Sequence, residues 1–210
     1  MAAAGVACGG QRGATVTSGA VGDDQAAAQR ALIRLTDLPG YDALPTVSAA
    51  PQAVQGATSF ESCAGAAIVL GEPDRTALSP AFHKGTTHAV SSLAIVAADE
   101  DGARAAMAGL AQAGVAQCLT GLFRTVLDLD LLPGTTASTA PLAAPRIEDE
   151  SVTWRTTMQI ALSGQTIPAY ADLTFFRSGR TVASLLNFQL GEPFPAAERA
   201  KLLNAMAARA

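Results

Sequence analysis

The sequence predicts an α+β domain, an antiparallel sheet of about four to five strands with helices packed on one face. Three observations carry that expectation. The C-terminal half alternates apolar and polar residues with period two over successive runs, the mark of half-buried strands. Short turns such as Ser163-Gly164 and Ser178-Gly179 join those runs, so neighbouring strands run antiparallel. The N-terminal half places apolar residues at helical spacing instead, most clearly between residues 115 and 126.

Taken in order, the first helix is expected to start at Asp23 or Asp24, either able to cap it. It runs to about Thr36, burying Ala28, Ala31, Leu32 and Leu35, and Asp37-Leu38-Pro39-Gly40 stops it. An irregular segment punctuated by Pro45, Pro51, Pro73 and Pro80 follows; so long a loop usually has a staple or a function. Residues 88–97 read as a strand. Asp99 then offers a cap for a helix to about Ala113, closed by Gly114. In the next helix Val115, Cys118, Leu119, Leu122, Phe123 and Val126 line up one apolar stripe, so Cys118 points inward. After Pro133-Gly134 a weak strand covers residues 135–143. In the next, Val152, Trp154, Met158, Ile160 and Leu162 alternate with Thr153, Arg155, Thr157 and Gln159. Strands over residues 167–177 and 181–190 form the closing hairpin. Pro195 opens a last helix to about Arg209 that buries Leu202, Leu203 and Met206. No internal repeat is visible.

Composition narrows the function. Nearly half the residues are hydrophobic and 15% are charged, enough to build a core in a chain of 210 residues. The net charge is −4, and the 14 Lys and Arg are scattered, which argues against a nucleic-acid partner. No run approaches the roughly 18 to 20 apolar residues of a spanning helix.

Residues 1–22 read as a truncated lipoprotein-type signal and flexible tether ahead of one α+β domain over 23–210. Met1 to Cys8 is a small apolar run ending in a cysteine, as a lipoprotein signal ends before the residue that is acylated. A basic n-region and a full apolar core are missing, so Met1 reads as a late start with the signal extending upstream. A plain terminus with a stray thiol is the alternative. The Gly/Ser/Thr-rich residues 9–22 would make a tether spanning about 20 Å. This places the domain outside the cytoplasm, anchored to the outer face of the cell membrane and touching it only through the lipid. With Cys8 acylated, Cys63 and Cys118 remain as an even pair for a disulfide in an oxidising compartment. Two buried thiols in a cytosolic structural module are the competing reading.

No catalytic motif is present: no nucleophile elbow, phosphate loop, dinucleotide fingerprint, zinc-protease helix or Cys-x-x-Cys pair. His83 and His88, five apart, would face opposite sides of an extended segment, so no metal and no cofactor are expected. Asp99-Glu100-Asp101 suits a helix N-terminus, and Glu148-Asp149-Glu150 a solvated turn. The most informative polar residues lie on the last strands. Trp154 and Arg155 alternate, Tyr170 and Asp172 share one strand face with Thr174 and Phe176, and Arg177 and Arg180 flank the hairpin turn. Trp154, Arg155, Tyr170, Asp172 and Arg177 are therefore the candidate ligand-binding residues. A solvated sheet face with cross-strand charge pairs is the plainer alternative.

Several stretches taken together carry a family resemblance: ALIRLTDLPGY in the first helix, the cysteine in the following loop, and SSLAIVA. To these add the helix pair ending at AQCL and the closing ADLTFFRSGRTVASLLNF hairpin with its helix. Over roughly residues 24–209 the chain resembles the extracellular sensor domain of actinobacterial PknH-like Ser/Thr kinases and related stand-alone envelope lipoproteins. The resemblance implies a disulfide-bonded α+β domain with a cleft, signalling through a partner because no kinase domain is present; such a kinase sensor has two disulfides where this chain can make one. The expected function is that of a cell-surface lipoprotein binding an envelope small molecule, a lipid or a protein, and not an enzyme. An envelope hydrolase built on Asp172 is the rival.

Overall fold

The computed structural model describes residues 18–44, 73–162 and 164–210. Cys8, the first part of the tether and Cys63 lie outside them.

Helix α1 covers Ser18–Arg30 and is followed by a 3-10 turn at Leu35–Asp37. Three very short strands come next, β1 (Asp42–Ala43), β2 (Thr76–Leu78) and β3 (Phe82–Lys84), before the longer β4 (His88–Val96). Helices α2 (Glu100–Leu110) and α3 (Gly114–Val126) lead into β5 (Thr136–Leu142). Strands β6 (Glu150–Leu162), β7 (Gln165–Ser178) and β8 (Thr181–Leu190) then form a continuous meander, closed by helix α4 (Ala196–Ala207).

The result is a mixed α and β fold around one open antiparallel sheet. Its order is β1-β3-β4-β8-β7-β6-β5, with β2 also paired to β4. Among the described residues the sheet has eight strands, not four to five. The strands missed in the sequence are β1, β2 and β3, each two or three residues long. A period of two cannot declare itself over so few positions. Pro80 lies between β2 and β3, which pair with opposite ends of the same edge of β4.

The helices cover both faces of the sheet, which corrects the expectation of one. On β4 and β8, Val90, Ala94, Val96, Ala183 and Leu185 pack with α1 and α4 through Ala28, Leu202, Leu203 and Met206, and with Ala31 just after α1. The intervening Ile95 and Val182 join Trp154 and Phe175 against Ala103, Met107, Leu110, Val115, Cys118 and Leu119 of α2 and α3. Successive side chains alternate across a strand, so these two clusters lie on opposite sides. The first face, under α1 and α4, and the second, under α2 and α3, are both core.

Local chemistry explains the start of one helix. Asp99 caps α2, its Oδ1 accepting from the Gly102 N–H at 2.7 Å. Asp24 does not cap α1 but lies inside it, and Leu35, expected in the core, is 46% exposed in the 3-10 turn. Val126, the last position of the α3 stripe, is likewise 54% exposed, because α3 ends there and has left the sheet. Leu202, Leu203 and Met206 are buried as expected. The β7–β8 loop is Gly179-Arg180, with Gly179 at φ +55°, a conformation glycine adopts without a steric cost.

Candidate functional site

Register and alternation decide which predicted residues meet. Arg155, Asp172 and Asn187 lie directly opposite one another on β6, β7 and β8. Two residues along, Thr157, Tyr170 and Gln189 form the next row, and Thr153, Thr174 and Leu185 the row before. All belong to the first face, where Phe176 joins the α1 and α4 cluster. A polar band thus crosses the middle of the sheet beside that cluster.

Asp172 is the hub of the band, fully buried at 0% exposure. Arg155 grips it with both arms, Nε donating to Oδ1 at 2.6 Å and Nη2 to Oδ2 at 2.7 Å. Arg199, in the first turn of α4 and 4% exposed, donates from Nη1 to Oδ2 at 2.5 Å. One carboxylate therefore holds two guanidiniums, one from the sheet and one from a helix, in the fork geometry that makes such pairs strong. The hydrogen bond to Asp172 raises the Arg155 pKa above its ordinary value, with burial opposing it. Arg155 also lies over the Tyr170 ring, 5.7 Å from its centroid, so the partly exposed aromatic and the guanidinium form one surface.

The other two candidates lie elsewhere. Trp154 points to the second face, where its indole N–H donates to the Leu110 carbonyl at 3.0 Å and closes the end of α2. Arg177 shares that face with Phe175. It pairs with Asp149 at 2.9 Å and Glu150 at 3.3 Å, so the acidic run before β6 is an ion-pair partner as well as a turn. Of the five candidates the fold brings together Arg155, Tyr170 and Asp172.

The sequence reading missed Arg199, Asn187 and Gln189. Arg199 reaches Asp172 across 27 residues, and nothing local marks it. Asn187 and Gln189 did leave a signal, two polar amides at alternate positions of the otherwise apolar LLNFQL run. Neither polar atom of the Asn187 amide has a hydrogen-bond partner, nor do Gln189 Oε1 and Arg199 Nε, and all four are buried.

A second feature lies on the far side. An open groove of about 490 Å³ runs between α3 and β5, lined by Ala116, Gln117, Thr120, Gly121, Arg124 and the strand residues 137–139. It contains none of the candidates; the Thr120 hydroxyl bonds to Thr139 at 2.7 Å and Thr139 to Thr156 at 2.8 Å, tying helix to sheet.

His83 and His88 lie on adjacent strands, and His83 Nδ1 is 3.1 Å from the Gly85 carbonyl. Among the described residues no group of three His, Cys, Asp or Glu could hold a metal ion. No single helix among them is long and apolar enough to cross a membrane. Cys118 is the one cysteine among them; it is buried on the α3 stripe.

No family model and no curated protein matches the chain. Among solved structures it is similar to the crystal structure of LpqN, involved in cell envelope biogenesis of Mycobacterium tuberculosis. The identity is 17% and the TM-score 0.28, over 63% of this chain and 73% of that one. A likeness that weak carries no argument about activity, and it does not show the kinase-sensor family.

Proposed function

We propose that the chain is a non-enzymatic binding protein of the cell envelope. It is a lipoprotein held at the outer face of the cell membrane through Cys8, with a sensor-like domain of the kind the PknH-like resemblance implies. Its ligand is an envelope molecule, and its binding residues are Arg155, Tyr170 and Asp172 with Arg199, Asn187 and Gln189 beside them. The observation that carries this reading is the buried Arg155–Asp172–Arg199 cluster next to partnerless amides. Burying charge and unmet hydrogen-bonding groups lowers stability relative to a plain apolar core, so their presence favours a role in recognition. The setting of Asp172 favours binding over the hydrolase alternative. Both oxygens of its carboxylate are engaged by guanidiniums, whereas a general base needs a free oxygen to take a substrate proton.

Export is a separate part of the proposal and comes with a Cys63–Cys118 disulfide. Its support is Cys118, buried in the core and not a free thiol.

The binding reading is tested by native mass spectrometry of the chain purified from its own envelope. The wild type is expected to carry a bound small molecule that Asp172→Ala, purified in the same way and checked for structure, does not. Wild-type protein that is repeatedly bare after mild extraction counts against it.

A further inference from the structure

The hydrogen-bonding groups left over on the first face define a ligand class, provided the binding reading above holds. Four residues make a square. Asp172 lies opposite Asn187 and Tyr170 opposite Gln189, on the same face of two adjacent strands. Asp172 needs nothing more, since three N–H donors already meet its two oxygens. The unmet atoms are Asn187 Nδ2 and Oδ1, Gln189 Oε1 and Arg199 Nε, so the site asks for both donors and acceptors. A carboxylate brings acceptors alone and leaves both amide oxygens unmet, and phosphate is mostly acceptor. An ammonium brings donors alone. A hydroxyl brings both, and two neighbouring hydroxyls fit one side-chain amide, one accepting from Nδ2 while the other donates to Oδ1. The Tyr170 ring, partly exposed and held by Arg155, supplies the flat surface that the C–H face of a sugar ring needs.

From this geometry we propose that the square binds a neutral, hydroxyl-rich ligand, a saccharide or polyol. Asn187 and Gln189 are its hydrogen-bonding residues and Tyr170 its stacking surface. The amide atoms are closed to solvent, and Tyr170 lies directly opposite Gln189 and diagonal to Asn187. As part of this proposal, ligand access requires the partly exposed Tyr170 side chain to turn aside from Asn187 and Gln189.

The test is saturation-transfer NMR on the full chain. One arm offers D-glucose, D-mannose, myo-inositol and glycerol at millimolar concentration; a second offers acetate and inorganic phosphate. The expected result is transfer to at least one polyol, weakened about tenfold or more by Asn187→Leu, with that variant melting no lower than the wild type. Gln189→Leu, nearer the surface, gives the same weakening and serves if the first variant fails to fold. Binding that neither substitution weakens overturns the site. Transfer in the anion arm alone overturns the ligand class and leaves the binding reading standing. So does silence in both arms when native mass spectrometry still finds a bound molecule other than a polyol. Silence in both arms together with bare native protein overturns the inference and the binding reading alike.

Discussion

At Asp172, two guanidiniums lean on one carboxylate that water does not reach. Asp172→Ala leaves both cations short of a partner, Arg199 in the interior. Breaking a buried pair from one side costs about 3–5 kcal/mol. Urea denaturation should record that loss, while Arg199→Met costs less because Arg155 keeps its two-armed grip. A loss below about 1 kcal/mol for Asp172→Ala, the size of an exposed pair, would remove the hub from the account. Tyr41 gives a pH-dependent counterpart. Its hydroxyl pKa is raised, first by burial and then by the Glu198 charge. A group whose folded pKa is raised contributes stability in full below its unfolded value, about 10, and loses it as the pH climbs through the folded value. Melting temperature should therefore fall above about pH 10 and fall less steeply in Tyr41→Phe; parallel curves for the two proteins would remove Tyr41 from the effect. Alternation made one part of this site readable, since Tyr170 and Asp172 are two apart on one strand. Arg155 joins them through a cross-strand register that no local pattern encodes, and Arg199 through the docking of α4.

Among the elements, α1 is fastened by a buried charge and not merely by its apolar stripe. Asp24 accepts from Arg180 at 2.5 Å, from the β7–β8 loop, and pairs with Arg75 at 3.4 Å, just before β2. Three pieces distant in sequence meet on one carboxylate. Asp24→Ala should cost about 1–3 kcal/mol, the usual loss when charged groups lose a hydrogen-bonded partner. Hydrogen exchange is expected to quicken in α1 and at the hairpin while α2 and α3 stay protected; uniform quickening would mean that Asp24 supports the whole fold instead. The long elements were legible because ten or more residues allow a period to repeat, as in α3, β6, β7 and β8. Two-sided coverage was legible too, had continuous apolar runs been weighed against alternation. The LAIV, TFF and ASLL stretches offer apolar side chains to both faces, as strands buried on both sides do. The three short strands had no such signal: β2 and β3 are held by pairing with β4, β1 by pairing with β3, and β2 also packs against α1.

For the molecule as a whole, compartment and covalent state are proposed together and tested apart. Cys118 is in the cluster that joins α2, α3 and the second face, so a link from it to Cys63 would fasten the segment between β1 and β2 to the core. Such a link closes a loop of about 55 residues, worth about 4 kcal/mol on the chain-entropy account, and forms only where thiols are oxidised. Peptide mapping of non-reduced protein from the envelope should yield one Cys63–Cys118 peptide. Cys63→Ser should destabilise by roughly that amount. An alkyne-tagged fatty acid should label the chain in cells that express the gene with its upstream sequence, and Cys8→Ala should abolish the label and release the domain from the membrane fraction. The two measurements check each other. A labelled protein with reduced internal thiols would keep the anchor and refute the disulfide. An unlabelled protein with both thiols alkylatable, recovered from the cell interior, would move the domain to the cytosol. The charged cluster on the first face would then have to be explained by a ligand from the cytosol instead of the envelope.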